Sequence, residues 1–190
     1  QVVDVRDGEI MFGLNMVVHK GKTIFVGDTS VHEYPTSEQM AEIAISTARV
    51  VRLFGFEPKV AFVSHSTFGQ PLTSRTKHIR SAVDILKDKK VDFEFDGDMQ
   101  PDVALNPEYE ELYPFSKIVG KANILIMPGQ HSAAISYKMM KTLGETKVIG
   151  PLLIGLGLPI EIAPLRTSTS EIINLASIAA YSADVIDYKN

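Results

Sequence analysis

Lys59-Val-Ala-Phe-Val-Ser-His-Ser-Thr-Phe-Gly69 is the stretch on which the fold turns. Lys59–Val63 is a short apolar run of the size of a buried strand, and the hydroxyl-rich loop Ser64, Ser66, Thr67, Gly69 ends it. Beyond the loop, Ile79, Ala82, Val83 and Leu86 return at helical spacing. The same order of strand, polar loop and helix recurs downstream. Strands are expected at Asp92–Phe95, Asn123–Met127, Val148–Leu153 and Ile160–Ala163. Short helices reach to about Tyr113, and longer ones cover His131–Leu143 and Ser168–Ala183. Upstream, Met11–Val18 and Thr23–Gly27 read as a hairpin about His19-Lys20-Gly21-Lys22. Asp28–Pro35 reads as a loop. Thr36 with Gln39 forms a capping-box pattern before Met40, Ile43, Ala44, Val50, Val51 and Phe54, and Gly55 supplies the stop. Short strands separated by longer helices imply an α/β fold, with αβα layers around a mainly parallel sheet. Its core is expected to contain Val60–Val63, Ile124–Met127 and Ile160–Ile162, with Ser64–Gly69 at the carboxyl end of its strand.

Composition bounds the function. At 190 residues, 45% hydrophobic and 22% charged, the chain has the balance of a globular protein. A domain of this size buries about 70% of the surface its unfolded chain exposes. The most apolar run, Val148–Leu158, is too short for a membrane span and is broken by glycine and proline. Asp4, Arg6, Asp7 and Glu9 stand where a signal peptide needs an apolar core, and Gln1 in place of methionine suggests a fragment boundary. The absence of cysteine excludes disulfides, thiol nucleophiles and thiolate metal sites, and fits a cytoplasmic location. A net charge of −4 argues against nucleic acid as the main partner. The basic stretch Arg75–Lys90 is interrupted by Asp84 and Asp88 and reads as a solvated helix face. No internal repeat, low-complexity linker or compositional domain boundary is present.

Four motifs bear on chemistry, each with a bland reading beside it. Ser64–Gly69 lies between strand and helix, where hydroxyls, N–H groups and a helix dipole suit a phosphate or carboxylate. Polar loops are common there, and this one is neither a Walker A nor a G-x-G-x-x-G loop. Asp96-Gly-Asp-Met-Gln-Pro-Asp102 offers oxygens for a cation but lacks calcium-loop spacing; a turn with solvated carboxylates is the simpler account. The five histidines show no paired spacing and read as scattered loop and surface residues. Gly150-Pro151 and Gly155-x-Gly157-x-Pro159 permit close backbone approach by a ligand or, more simply, by a packed neighbouring strand. Arg166-Thr167-Ser168-Thr169-Ser170-Glu171 opens the last helix. Its hydroxyls and Glu171 serve as caps, while Arg166 beside free N–H groups would also clamp an anion.

Several strings, taken together and in order, resemble the phosphotransacetylase (phosphate acetyl/butyryltransferase) family. They are Val60–Gly69, Phe95–Ala104, Gly120–Pro128, Ile135-Ser-Tyr-Lys138 and Ile149–Leu156. Asn106-Pro-Glu and Leu112-Tyr-Pro-Phe-Ser-Lys117 are similar to the version fused behind the catalytic domains of bacterial NADP-dependent malic enzymes. The resemblance runs from about Pro35 to Ala183, with Met11–Thr29 a looser match. It implies a two-lobed architecture like that of isocitrate and isopropylmalate dehydrogenases, most of whose first lobe is missing here. Residues 1–147 would be the second lobe and 148–190 a C-terminal segment returning towards the first. It also implies a site for coenzyme A, its acyl ester and phosphate between the lobes, and a homodimer or higher oligomer through the second lobe.

The departures from the family carry the functional expectation. After the Pro-Ile matching Pro159-Ile160, active transferases carry Asn-Asp-Leu-Ser-Arg-Gly and, further on, an aspartate. Here the serine position is Pro164, the arginine Leu165 and the aspartate Glu171, while two asparagine positions are His131 and Ala134. Leucine cannot hold a phosphoryl group, proline has neither hydroxyl nor N–H, and glutamate moves the carboxylate outward by a methylene. No catalytic residue is therefore expected. The resemblance places ligand contacts at Ser64, Ser66, Thr67, Gly69, Tyr137, Lys138, Gly150, Pro151, Arg166, Thr167, Ser168 and Glu171. The first reading is a non-catalytic domain that senses acetyl-CoA as effector, without metal or cofactor of its own. It would regulate malic enzyme catalytic domains of the same chain, which use NADP and a divalent metal. An active phosphate acetyltransferase and a dimerisation module with a vestigial cleft remain open.

Overall fold

The computed structural model describes residues 3–185. Apolar residues alternate along Phe12–His19 (β1), and Lys20 and Gly21, both at positive φ, turn the chain into Lys22–Gly27 (β2). The hairpin register runs from Leu14 opposite Gly27 to His19 opposite Lys22. Helix α1, Ser37–Leu53, starts at the expected capping box: Thr36 Oγ1 accepts from Gln39 N, and Gln39 Oε1 accepts from Thr36 N. Its small and apolar face, including Met40, Ala41, Ala44 and Val51, is buried. Strand β3 is Lys59–Val63, and α2 is Ser74–Lys89, opened by a second reciprocal cap between Thr73 and Thr76. Then come β4 (Glu94–Met99), the short helix α3 (Pro101–Leu105) and a 3-10 turn at Pro107–Glu111. β5 (Ile124–Ile126), α4 (Gln130–Leu143), β6 (Thr146–Ile154), β7 (Ile160–Glu161) and α5 (Thr169–Val185) complete the order.

The seven strands form one mixed sheet in the order β4-β3-β5-β2-β1-β6-β7. β2, β5, β3 and β4 pair in parallel; β1 is antiparallel to both β2 and β6, so β6 runs with the parallel group. β7 reverses again. Because neighbouring side chains on a strand point to opposite faces, the sheet has two cores. Val60, Phe62, Ile124, Ile126, Phe25 and Leu14 face α1, α2 and α5. Ala61, Val63, Leu125, Val26 and Val17 face α3, α4 and residues 118–122. Three layers result, as the alternation of elements implies.

The structure revises the reading in several places. β4 extends through Met99, and Asp96 and Asp98 inside it are buried instead of solvated. Both carboxylates find internal donors: Asp96 accepts from Gly97 N and Lys117 N, and Asp98 from the loop after β3. Ile160–Ile162 does not belong to the sheet core, because β7 is two residues of half-buried edge strand and Ile162 is exposed. The division drawn at 147/148 falls inside β6, which pairs with β1 on both sides of it. His32 and His78 are structural: His32 Nδ1 lies 2.7 Å from Asp28 Oδ2, and His78 bridges Ser37 Oγ and the Pro35 carbonyl. Among the described residues no helix is long and apolar enough to cross a membrane.

Candidate ligand-binding site

Ser64–Gly69 leaves the carboxyl end of β3, as expected, but its donors point inward. Ser66 and Asp98 are fully buried; Ser66 Oγ donates to Asp98 Oδ2, and Gly69 N donates to Asp98 Oδ1 at 3.0 Å. Phe68 N donates to the Asp98 carbonyl, and Thr67 Oγ1 accepts from Gln100 N at 3.2 Å. Arg80 Nη1, 3.7 Å from Asp98 Oδ1, adds an ion pair. A carboxylate in place already occupies the N–H and hydroxyl groups that would bind an anion. Ser66, Thr67 and Gly69 therefore act as scaffold. Only Ser64 reaches a groove, which it lines with His65, Arg75, Met127, Pro128 and Ser132 across the carboxyl ends of β3 and β5.

A second constellation forms at the start of α5. Pro164 accepts at its carbonyl from Thr167 N, 3.0 Å away, so Leu165 and Arg166 are the central residues of a tight turn. Leu165 is fully exposed. Ser168 then caps α5 in a capping box with Glu171: Glu171 Oε2 accepts from Ser168 N at 2.8 Å, and Ser168 Oγ accepts from Glu171 N. Lys141, at the end of α4, reaches Glu171 Oε1 at 3.1 Å. The Ser168 N–H, the Ser168 hydroxyl and the Lys141 ammonium together hold the Glu171 carboxyl down at about 2. Gly150, Arg166, Thr167, Glu171 and Lys141 line one cavity of about 120 Å3, with Val148, Ile149 and Pro164 among its walls. No ion pair of Arg166 is present among the described residues.

Part of the expected site is thus assembled and part is not. Tyr137 and Lys138 lie on α4, with Lys138 Nζ 5.9 Å from the Tyr137 ring centre, and neither lines that cavity. Lys141, one turn further on and not singled out by the sequence, does. Pro151 sits in β6 outside the cavity. Gly150 and Gly155 are close-approach positions for packing: a Cβ on Gly150 would meet the Leu14 carbonyl at 2.8 Å, and one on Gly155 would strike Ile10. The single cleft joining Ser64–Gly69 to Arg166–Glu171 is not formed by the described residues. β7 runs antiparallel to β6, so the chain leaving it travels to Val148–Gly150 in the first half of β6. Ser64–Gly69 stands at the far end of the parallel strands, with β5, β2 and β1 between.

Comparison with known proteins decides the family. The profile described as phosphate acetyl/butaryl transferase matches residues 1–180. The chain belongs to that family. Within it, the chain is 46% identical over 181 residues to the NADP-dependent malic enzyme of Rhizobium meliloti, covering 95% of this chain and 24% of that protein. It is 32% identical to the phosphate acetyltransferase of Bacillus subtilis, covering 96% of this chain and 57% of that one. A phosphotransacetylase from Streptococcus pyogenes superposes with a TM-score of 0.90 at 30% identity, over 97% of this chain and 57% of the other. The chain therefore spans about a quarter of its malic enzyme relatives and about half of the phosphate acetyltransferases. In this phosphate acetyl/butaryl transferase domain, the turn Pro164–Thr167 and its cap Ser168–Glu171 occupy the stretch where the resemblance places the transferases' serine, arginine and aspartate.

Proposed function

We propose that this chain is a non-catalytic, acetyl-CoA-responsive regulatory and oligomerisation domain of a cytoplasmic, multidomain NADP-dependent malic enzyme. The observation that carries the proposal is the state of Glu171. Its carboxylate is held by its own helix cap and by Lys141, with its pKa down at about 2. A carboxylate already accepting from the Ser168 N–H, the Ser168 hydroxyl and Lys141 is poorly set to take a proton from a thiol. Pro164 and Leu165 beside it supply neither the hydroxyl nor the cation that phosphoryl transfer requires. Lys141 and Arg166 nevertheless remain around an open cavity, which suits charge-assisted contact to the phosphate or thioester end of a CoA ester. Regulation would require that acetyl-CoA bind two arrangements of the parent protein unequally. NADP and a divalent metal belong, on this reading, to its other domains.

Two measurements on the full-length protein test the reading. Acetyl phosphate formation is expected to stay at background; turnover of even about one per second, the low end of common enzyme rates, would show an active transferase. Calorimetric titration with acetyl-CoA is expected to show binding, and Arg166→Ala to weaken it roughly 10- to 150-fold, the value of a hydrogen bond to a charged group. No heat at millimolar acetyl-CoA would leave a dimerisation module in place of a sensor.

A further inference from the structure

A cavity of about 390 Å3 lies further along the same face of α5, against the second half of β6, and shares no lining residue with either region above. Its volume falls in the range of small-molecule sites. Val50 and Leu53 of α1 with the following Phe54, Leu152 and Ile154 of β6, and Ile178 of α5 form apolar walls. We propose that this cavity binds an uncharged, mainly apolar molecule presenting a carbonyl oxygen, to which the Glu161 carboxyl donates a hydrogen bond.

Glu161 lines the cavity from the edge strand β7, and its Oε2 is buried with no hydrogen-bond partner among the described residues. Burial, only partly offset by a hydrogen bond from the Leu153 backbone, pushes this carboxyl up to about 8. At neutral pH it therefore carries a proton and acts as a donor. Most of the other polar groups lining the cavity are committed. Arg49 pairs with Glu9 at 2.7 Å, and Arg52 pairs with Asp92 at 3.1 Å. Tyr181 donates to the Leu53 carbonyl, and the backbone N–H of Arg6 donates to the Gly155 carbonyl. With Arg49 and Arg52 each paired to an acid and Glu161 neutral, a charged ligand would lose hydration for little return. A carbonyl on an apolar body loses little and satisfies the buried carboxyl.

The probe is Prodan, an uncharged aromatic ketone whose emission shifts to the blue in apolar surroundings, titrated into the full-length protein. Saturable, blue-shifted binding is expected, weakened roughly 3- to 10-fold in Glu161→Leu, as for loss of one neutral hydrogen bond. Wild-type binding should weaken as Glu161 ionises between about pH 6 and about pH 10. Glu161→Gln keeps an N–H donor and the shape of the side chain, so it should bind Prodan like wild type at neutral pH and lose the pH dependence. Absence of saturable binding to the full-length protein overturns the proposal, including the case in which the rest of the parent chain fills the cavity. Binding that is flat with pH and equal in all three proteins overturns it as well.

Discussion

Asp98 illustrates how one residue sets the character of a loop. It is fully buried at the end of β4, and Ser66 Oγ, Gly69 N and Arg80 all converge on it. The loop that reads as an anion cradle is thus held by an anion of the chain's own. Asp98→Ala would strand the Ser66 hydroxyl and Gly69 N–H without an acceptor, whereas Arg80, partly exposed, would turn to water. With each buried orphan costing about 1–3 kcal/mol, destabilisation of about 2–6 kcal/mol is expected in urea unfolding. Asp98→Asn, which keeps one acceptor oxygen, should cost less. A neutral Asp98→Ala result would mean that the loop does not depend on this carboxylate. Glu171 makes the complementary point. Where the resemblance places the transferases' aspartate, Glu171 is spent on capping α5 and pairing with Lys141.

Among the elements, α1 shows local and tertiary signals in agreement. Thr36 and Gln39 satisfy each other's backbone N–H groups, and the face behind them is almost wholly buried. Thr36→Ala should cost about 1 kcal/mol of stability by chemical denaturation, the usual value of such a cap. No loss would mean that burial alone holds the helix start. The edge strand β7 behaves differently, since Glu161 places a carboxyl against an apolar cavity. Its folded pKa of about 8 stands above the ordinary 4.5. Between those values the folded chain keeps a proton that the unfolded chain has released, so this group's contribution is complete below the lower value and is lost as pH rises through the upper one. Tm compared between wild type and Glu161→Gln should therefore show a wild-type disadvantage that grows across that window and levels off above it. A constant difference would place the carboxyl in water. Glu171 has the opposite sign: lowered to about 2, its contribution is present above 4.5 and fades as pH falls.

At the scale of the whole molecule, two reversals of strand direction distribute the candidate sites. The antiparallel β1 joins the parallel group to β6, and β7 turns back along β6. The groove beside Ser64, the Lys141–Arg166 cavity and the Glu161 cavity consequently occupy three separate regions of one sheet. A ligand at one site would influence another only through the packed layers between them.

The sequence by itself determined the local features: the hairpin turn at Lys20-Gly21, the capping boxes, the buried apolar strands Lys59–Val63 and Ile124–Ile126, and the order of the elements. Each depends on residues a few positions apart, whose propensities and spacing act before any tertiary contact. It also put Pro164 and Leu165 where the resemblance places the transferases' serine and arginine, because substitution at a motif is read without coordinates. Tertiary structure alone decided three things. The carboxylates of Asp96 and Asp98 are buried because N–H groups from distant loops reach them, so an acidic stretch that reads as solvated became strand. Lys141 joined the Arg166 turn because α4 ends against the start of α5, thirty residues on. The direction of β7 sent its following turn away from Ser64–Gly69. Burial and strand direction are set by which remote segments pack together, and an amino-acid pattern along one segment does not carry that information.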